Sequence, residues 1–256
     1  MNAKKTRIIS LNVDVITLAG ALERITEFCR KGSGGFVCLA NVHMVMEAYD
    51  DASFADAVNA ADLVLPDGMP LKWMQRLSAE RTAARIRGSD LMNALLALAE
   101  QRGLTVGFYG SEPSVIEAIE RRLAVEFPAL KVAYSYSPPF RPLTANEDTD
   151  IIAAIGRNAP DILFVGLGCP KQERWMHGHR PHLKAVMLGV GAAFDIFAGK
   201  QSEAPRWISR IGLEWLYRLL LEPKRLWRRY LLLNPRFAAL AAMQLARRNV
   251  RPKDAA

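Results

Sequence analysis

The stretch Asp161-Ile-Leu-Phe-Val-Gly-Leu-Gly-Cys-Pro-Lys-Gln-Glu173 passes from an unbroken apolar run, through two glycines and a proline, into a polar segment. The apolar run is too short for a helix and does not alternate, so it reads as a strand buried on both faces, the hallmark of a parallel sheet. The link that follows joins this strand to a helix. Its glycines let backbone come near a ligand, and a helix N-terminus there presents free N–H groups to phosphate. The link is neither a Walker A loop nor a complete GxGxxG, so dinucleotide binding gains little from it.

The same pattern recurs on both sides. Residues 36–40 (FVCLA), 62–65 (DLVL), 105–109 (TVGFY), 131–135 (KVAYS) and 185–190 (AVMLGV) read as further buried strands. Helical segments such as 90–102, 113–127 and 148–158 lie between them. This alternation predicts an α/β fold, a Rossmann-like doubly wound and mostly parallel sheet. Such sheets bind ligands beyond the C-terminal ends of their strands. The residues to inspect are therefore Asn41, Pro66-Asp67-Gly68, Gly110-Ser111, Gly166-Leu167-Gly168 and Gly189-Val190-Gly191. The start of the chain reads as one more strand after a basic opening, with no apolar run of signal-peptide length. A turn-rich connection spans Ser137 to Thr144, and no internal repeat or low-complexity tract is present.

Charge marks the one plausible boundary, near Gly199–Pro205. From Pro205 onward there are twelve Lys and Arg against three Asp and Glu, a net +9 in a chain of net +8, so residues 1–204 carry about −1. The organisation expected is an α/β domain over 1–200 and a basic amphipathic helical C-terminal appendage over 201–256. A segment so basic calls for an anionic partner: nucleic acid, a membrane surface or a phosphorylated substrate. Arg218 falls on one helix, Pro223 sits where a second starts, and Arg225 and Arg228 are neighbours on it. Trp215, Leu219, Leu226, Trp227 and Tyr230 add apolar and interfacial surface, a mixture suited to anionic lipid headgroups. No apolar run approaches the ~18 residues needed to span a bilayer, so membrane contact is expected to be peripheral. Cys29, Cys38 and Cys169 are scattered, with no CxxC or Cys/His cluster, which points to a reducing cytoplasm and to no zinc site. No DNA- or RNA-reading motif is present, so no nucleic-acid partner is expected.

Three readings stand for an Asp in the position of Asp67, between an apolar strand and a helix: a general base, a ribose or metal ligand, or an N-cap. Gly189-Val-Gly-Ala-Ala-Phe194 has Phe at the third glycine position of a dinucleotide fingerprint. Asp148-Thr-Asp150 has the form of a metal-binding DxD, but it opens a helix, where acidic residues favour the first turn, and is read as capping. His177, His179 and His182 cluster in a polar stretch and read as a surface helix end. No GxSxG elbow is present, which argues against acyl hydrolysis.

Taken in order, several segments resemble the WecG/TagA/CpsF family of bacterial glycosyltransferases. They are N41-V-H-M, L65-P-D-G-M-P-L-K-W73, R85-I-R-G-S-D-L91, V106-G-F-Y-G110, D161-I-L-F-V-G-L-G-C-P-K-Q-E173, G189-V-G-A-A-F-D-I-F-A-G199, A204-P-R-W207 and G212-L-E-W-L-Y-R-L-L-L-E-P-K-R-L-W-R-R-Y230. They cover roughly residues 36–230. The resemblance implies an inverting, metal-independent enzyme with no cofactor. It would move a sugar from a UDP-sugar donor to a polyprenyl-diphosphate-linked sugar acceptor, peripherally bound to the anionic inner face of the cell membrane. The family's donors include UDP-N-acetylmannosamine, its uronic acid and UDP-glucose. The products feed wall teichoic acid, enterobacterial common antigen or exopolysaccharide.

By the same resemblance, Asp67 is the catalytic base and Asn41 lies beside a sugar. Gly166, Gly168 and Gln172 face the nucleotide, with Glu173 completing their motif. Gly68 and Gly110, picked out above at strand ends, fall within its matching segments, and Arg87 with Gly88 lies near the site. Arg218, Arg225 and Arg228 would close over the site and hold the diphosphate, taking the place that a metal ion has in many such enzymes. Two positions depart from the family pattern: Leu39 where Thr is frequent, and Glu203 where Arg is frequent. A mobile tail is compatible with a homo-oligomer. The competing readings are a nicotinamide-dependent oxidoreductase, which lacks a full glycine fingerprint, and a non-enzymatic membrane adaptor, which leaves Asn41, Asp67 and Gln172 without purpose.

Overall fold

The computed structural model describes residues 4–78, 80 and 82–247 in full and the backbone of 248–250. All six apolar runs become strands of one sheet. They are β3 (Gly35–Ala40), β4 (Leu63–Pro66), β5 (Thr105–Gly110), β6 (Lys131–Tyr136), β7 (Ile162–Gly166) and β8 (Val186–Gly189). The sheet is parallel throughout, in the order β4-β3-β8-β7-β5-β6. The opening of the chain is a two-stranded antiparallel hairpin, β1 (Lys5–Ile8) and β2 (Leu11–Asp14), where a single strand was expected. Asp14 ties it to the sheet by accepting the Val64 N–H at 2.7 Å.

Strand residues alternate between two cores. Phe36, Cys38, Leu163, Val165 and Met187 face one; Val37, Leu39, Ile162, Phe164 and Leu188 face the other. Helices α2 (Val42–Asp50), α3 (Ala52–Asn59), α7 (Ala145–Asn158) and α8 (Lys171–His179) cover the first. Helices α1 (Leu18–Lys31), α5 (Gly88–Arg102), α6 (Pro113–Glu126) and α9 (Ala193–Phe197) cover the second. Burial on both faces is why five of the strands carry no alternation in sequence; β6, at the sheet edge, has no buried residue, where a buried strand was expected. The chain builds β3 and β4 toward one edge and then crosses to β5 and β6 at the other. The crevice between these halves opens at the strand C-termini.

After Gly199 come α10 (Arg206–Arg210), α11 (Glu214–Leu221) and α12 (Pro223–Val250). Pro223 occupies the first position of α12, where its missing N–H costs nothing. Leu226, Phe237 and Ala241 are buried, and Leu233 and Leu240 pack on the first core. These positions recur every three to four residues, giving α12 one inward face. Its far end is fastened to the hairpin: Gln244 Nε2 donates to the Arg7 carbonyl, and its Oε1 accepts the Ile9 N–H at 2.8 Å. No helix among the described residues is long and apolar enough to cross a membrane.

Candidate active site

Each strand end delivers its residue to one crevice. Asn41 follows β3 and caps α2, its side chain accepting the Met44 N–H at 3.2 Å. Asp67 follows β4. The N-cap of helix α4 (Met69–Leu77) is Gly68, which removes the capping reading of Asp67. Its carboxylate accepts no hydrogen bond within the described chain and keeps part of its surface open to the crevice. Burial pushes the Asp67 carboxyl up to about 6; Arg85, Arg218 and Arg87 pull it down, while Glu214 pushes it further up.

The crevice has two chambers. A polar cleft of about 590 Å³ is lined by Arg87, Gly88, Gly166, Gly168, Gln172 and Arg225, among others. A cavity of about 600 Å³ runs between α4 and the C-terminal helices. Met69, Trp73, Leu77, Ile211, Trp215 and Phe237 make most of its wall apolar. Asn41, Asp67, Glu214, Arg218 and Arg229 border both chambers. Asp67 thus stands where a polar and an apolar compartment meet.

The C-terminal helices are held over the crevice by charge. Arg85 donates to the Asp67 carbonyl at 2.6 Å, to the Ser209 carbonyl at 3.2 Å and to Glu214 at 2.5 Å. Arg87 pairs with Glu203 at 3.1 Å and Glu214 at 3.7 Å. Glu203, one of the two departures from the family pattern, therefore neutralises a cleft arginine. Leu39, the other, lines the polar cleft with no hydroxyl.

Other expected residues take different places. Gln172 lines the cleft, but its amide is engaged within the loop. Oε1 accepts the Gly168 N–H at 3.2 Å, and Nε2 donates to Glu173 at 2.7 Å. Glu173 is fully buried beneath it, and burial pushes its carboxyl up to about 7. Gly68 borders the apolar cavity. Gly110 has φ 116° and lies against Gly166, whose backbone is 2.7 Å from where a Cβ would stand. It packs two strands together instead of lining either chamber. Arg228 points outward, its guanidinium over the Trp227 ring at 5.3 Å, and borders neither chamber. Arg229, which the sequence groups with Arg225 and Arg228 but which was not expected at the site, lies inside. Asp148 sits in the first turn of α7, which Thr144 and Glu147 cap, and binds His179 at 2.8 Å. No group of three or more His, Cys, Asp or Glu among the described residues is placed to share a metal ion.

A family model described as the glycosyl transferase WecG/TagA/CpsF family matches residues 6–251. An N-acetylglucosaminyldiphosphoundecaprenol N-acetyl-β-D-mannosaminyltransferase from Bacillus subtilis (strain 168) is 35% identical over 207 residues, 80% of this chain and 78% of its own. The enzyme of the same description from Staphylococcus aureus (strain NCTC 8325 / PS 47) is 29% identical over 230 residues, 89% of each chain. With the parallel sheet, the strand-end Asp67 and the motifs in order, these matches make the chain a glycosyltransferase of the WecG/TagA/CpsF family.

Proposed function

We propose that this enzyme transfers a hexose, of N-acetylmannosamine type or glucose, from a UDP-sugar to an undecaprenyl-diphosphate-linked sugar in cell-surface polysaccharide synthesis. The observation that carries the reading is the position of Asp67 between a polar cleft and an apolar cavity. A UDP-sugar is polar along its whole length and suits the cleft. A polyprenyl diphosphate is an amphiphile and suits a cavity that is cationic at the inner end and apolar beyond. The anomeric carbon and the acceptor hydroxyl then meet at Asp67. The Bacillus and Staphylococcus relatives are described as acting on an acceptor of this two-part kind, a sugar on undecaprenyl diphosphate.

Inversion needs in-line attack by a hydroxyl, a poor nucleophile at neutral pH. Asp67 takes its proton, a contribution of about 10²–10⁴-fold. A carboxyl near 6 is ionised at neutral pH yet basic enough to help. Charge developing on the departing UDP is met by guanidinium groups of the C-terminal helices, with Arg225 in the polar cleft. No metal is assigned a part. The exposed Trp207, Ile211, Leu220, Trp227 and Leu232 lie among Arg206, Arg210, Lys224 and Arg228, and this face rests on anionic lipid at the inner side of the membrane. Residues 1–200 form the catalytic domain in this reading, and 201–256 complete the site at the membrane.

The deciding experiment screens UDP-sugars against short-chain polyprenyl-diphosphate-GlcNAc and polyprenyl-diphosphate-glucose, with EDTA present and UDP release as readout. Turnover with one pair establishes the reading and its donor. Turnover that appears only when a divalent metal is restored refutes the metal-free mechanism. Silence under both conditions refutes the substrate assignment.

A further inference from the structure

The arginines bordering the two chambers differ in what they are tied to. Arg85 and Arg87 are ion-paired with Glu214 and Glu203. Arg225 is paired with Glu222 at 2.7 Å. Among the described residues, the one hydrogen bond from Arg218 is a 3.4 Å contact with Gln201. Arg229 has no carboxylate within 4.0 Å among the described residues, although it borders both chambers. The Nε atoms of Arg218 and Arg229 are both buried without a hydrogen-bond partner. An unpaired cation taken out of water costs several kcal/mol. A fold that keeps one in a cavity wall presents it to an anion. Burial holds the Arg229 guanidinium below its usual range, with Arg218 and Arg225 pushing the same way.

The surroundings of Arg229 identify which anion. His43, Tyr230 and Asn234 border the apolar cavity and not the polar cleft. Burial and then Arg229 push His43 down to about 4, so its imidazole is neutral; Nε2 lies 3.2 Å from Glu47, and Nδ1 is buried without a partner. The cation therefore lies at the inner mouth of an apolar cavity with a neutral imidazole beside it. A nucleotide diphosphate has no apolar continuation to place there; a prenyl diphosphate has one.

We propose that Arg229, with His43 beside it, binds the diphosphate of the lipid-linked acceptor, leaving Arg225 to the diphosphate of the nucleotide. This division of labour rests on the substrate assignment above, but its test does not need turnover. UDP and farnesyl diphosphate are the probes, each titrated calorimetrically into the full chain. Arg229→Gln is expected to weaken farnesyl diphosphate by about tenfold or more while leaving UDP within about twofold. Arg225→Gln is expected to do the reverse. Where acceptor turnover is measured, Arg229→Gln raises the acceptor KM and leaves the donor KM unchanged. Should Arg229→Gln fail to fold, Arg229→Lys keeps the charge, loses the fork and is expected to show the same selective loss in smaller measure. Equal losses for both probes, a loss confined to UDP, or no loss at all would each overturn the assignment. Farnesyl diphosphate binding that depends on Arg229 in a protein that turns over none of the candidate acceptors would fail the substrate reading while supporting the anion site.

Discussion

The base role proposed for Asp67 puts opposing demands on one carboxyl. A base must be ionised to work, and burial resists ionisation. Its raised value predicts that kcat/KM climbs with pH through about 6, and a profile flat from pH 5 to 8 would remove Asp67 from the base role. Asp67→Asn is expected to lower turnover by about 10²–10⁴-fold and to leave UDP affinity intact. The same burial has a sign for stability. The folded carboxyl lies above the 3.8 of a free Asp, so the ionised form is disfavoured in the fold. Its effect is nil below about pH 4, and stability is lost as pH rises through about 6. Urea midpoints should therefore show Asp67→Asn gaining on the wild type between about pH 4 and 7, by up to about 3 kcal/mol. A gap that does not widen with pH would mean that the carboxylate is better solvated than its position suggests.

At the scale of elements, α11 reaches into the surroundings of Asp67 through Glu214, which joins Arg85 and Arg87 and pushes Asp67 up. Glu214→Gln should release both guanidinium groups toward Asp67 and move the acid limb of kcat/KM below its wild-type position; an unmoved limb would separate the helix from the base. Packing between α9 and β7 gives a second test. A Cβ on Gly166 would come within 2.5 Å of the Phe194 ring, so Gly166→Ala should cost about 1–3 kcal/mol in chemical denaturation. An unchanged midpoint would show that the ring moves aside freely. The sheet was legible because apolar runs of four to six residues, alternating with helical segments, fit a parallel sheet buried between helices. The place of Asp67 at the end of β4 was legible, and strand C-termini are where such sheets gather ligands. The arginines were harder, since the break at Glu222–Pro223 resets the helical phase between Arg218 and Arg225. Within α12, however, Arg229 is three residues after the buried Leu226 and four before Leu233, on the inward stripe, and Arg228 is off it. That spacing was a usable signal. The role of Gln172 was not legible, because its amide is claimed by Gly168 and Glu173, contacts that depend on the loop's shape.

For the whole molecule, the question is how a chain with no membrane-crossing helix among its described residues would meet the lipid-borne acceptor proposed for it. Removing everything after Gly199 looks like the direct test, but the structure makes it a poor one. Leu226, Phe237 and Ala241 are core residues, and Arg236 pairs with Asp50 on α2, so truncation exposes apolar core as well as removing the basic face. The informative change is confined to the surface. Trp227 is exposed, with Arg228 stacked on it and Lys224 on the preceding turn. Lys224→Glu with Arg228→Glu reverses two charges outside both chambers. Each basic residue near an anionic surface contributes about 1 kcal/mol, so this pair should reduce binding to phosphatidylglycerol vesicles by at least about tenfold. Binding of the wild type should itself weaken as salt shortens the Debye length. Turnover should fall only with acceptor embedded in vesicles and persist with a short-chain, water-soluble acceptor, because the active site is untouched. Equal loss with both acceptors would mean that these residues act at the site. Undiminished vesicle binding would place the membrane face elsewhere on the molecule.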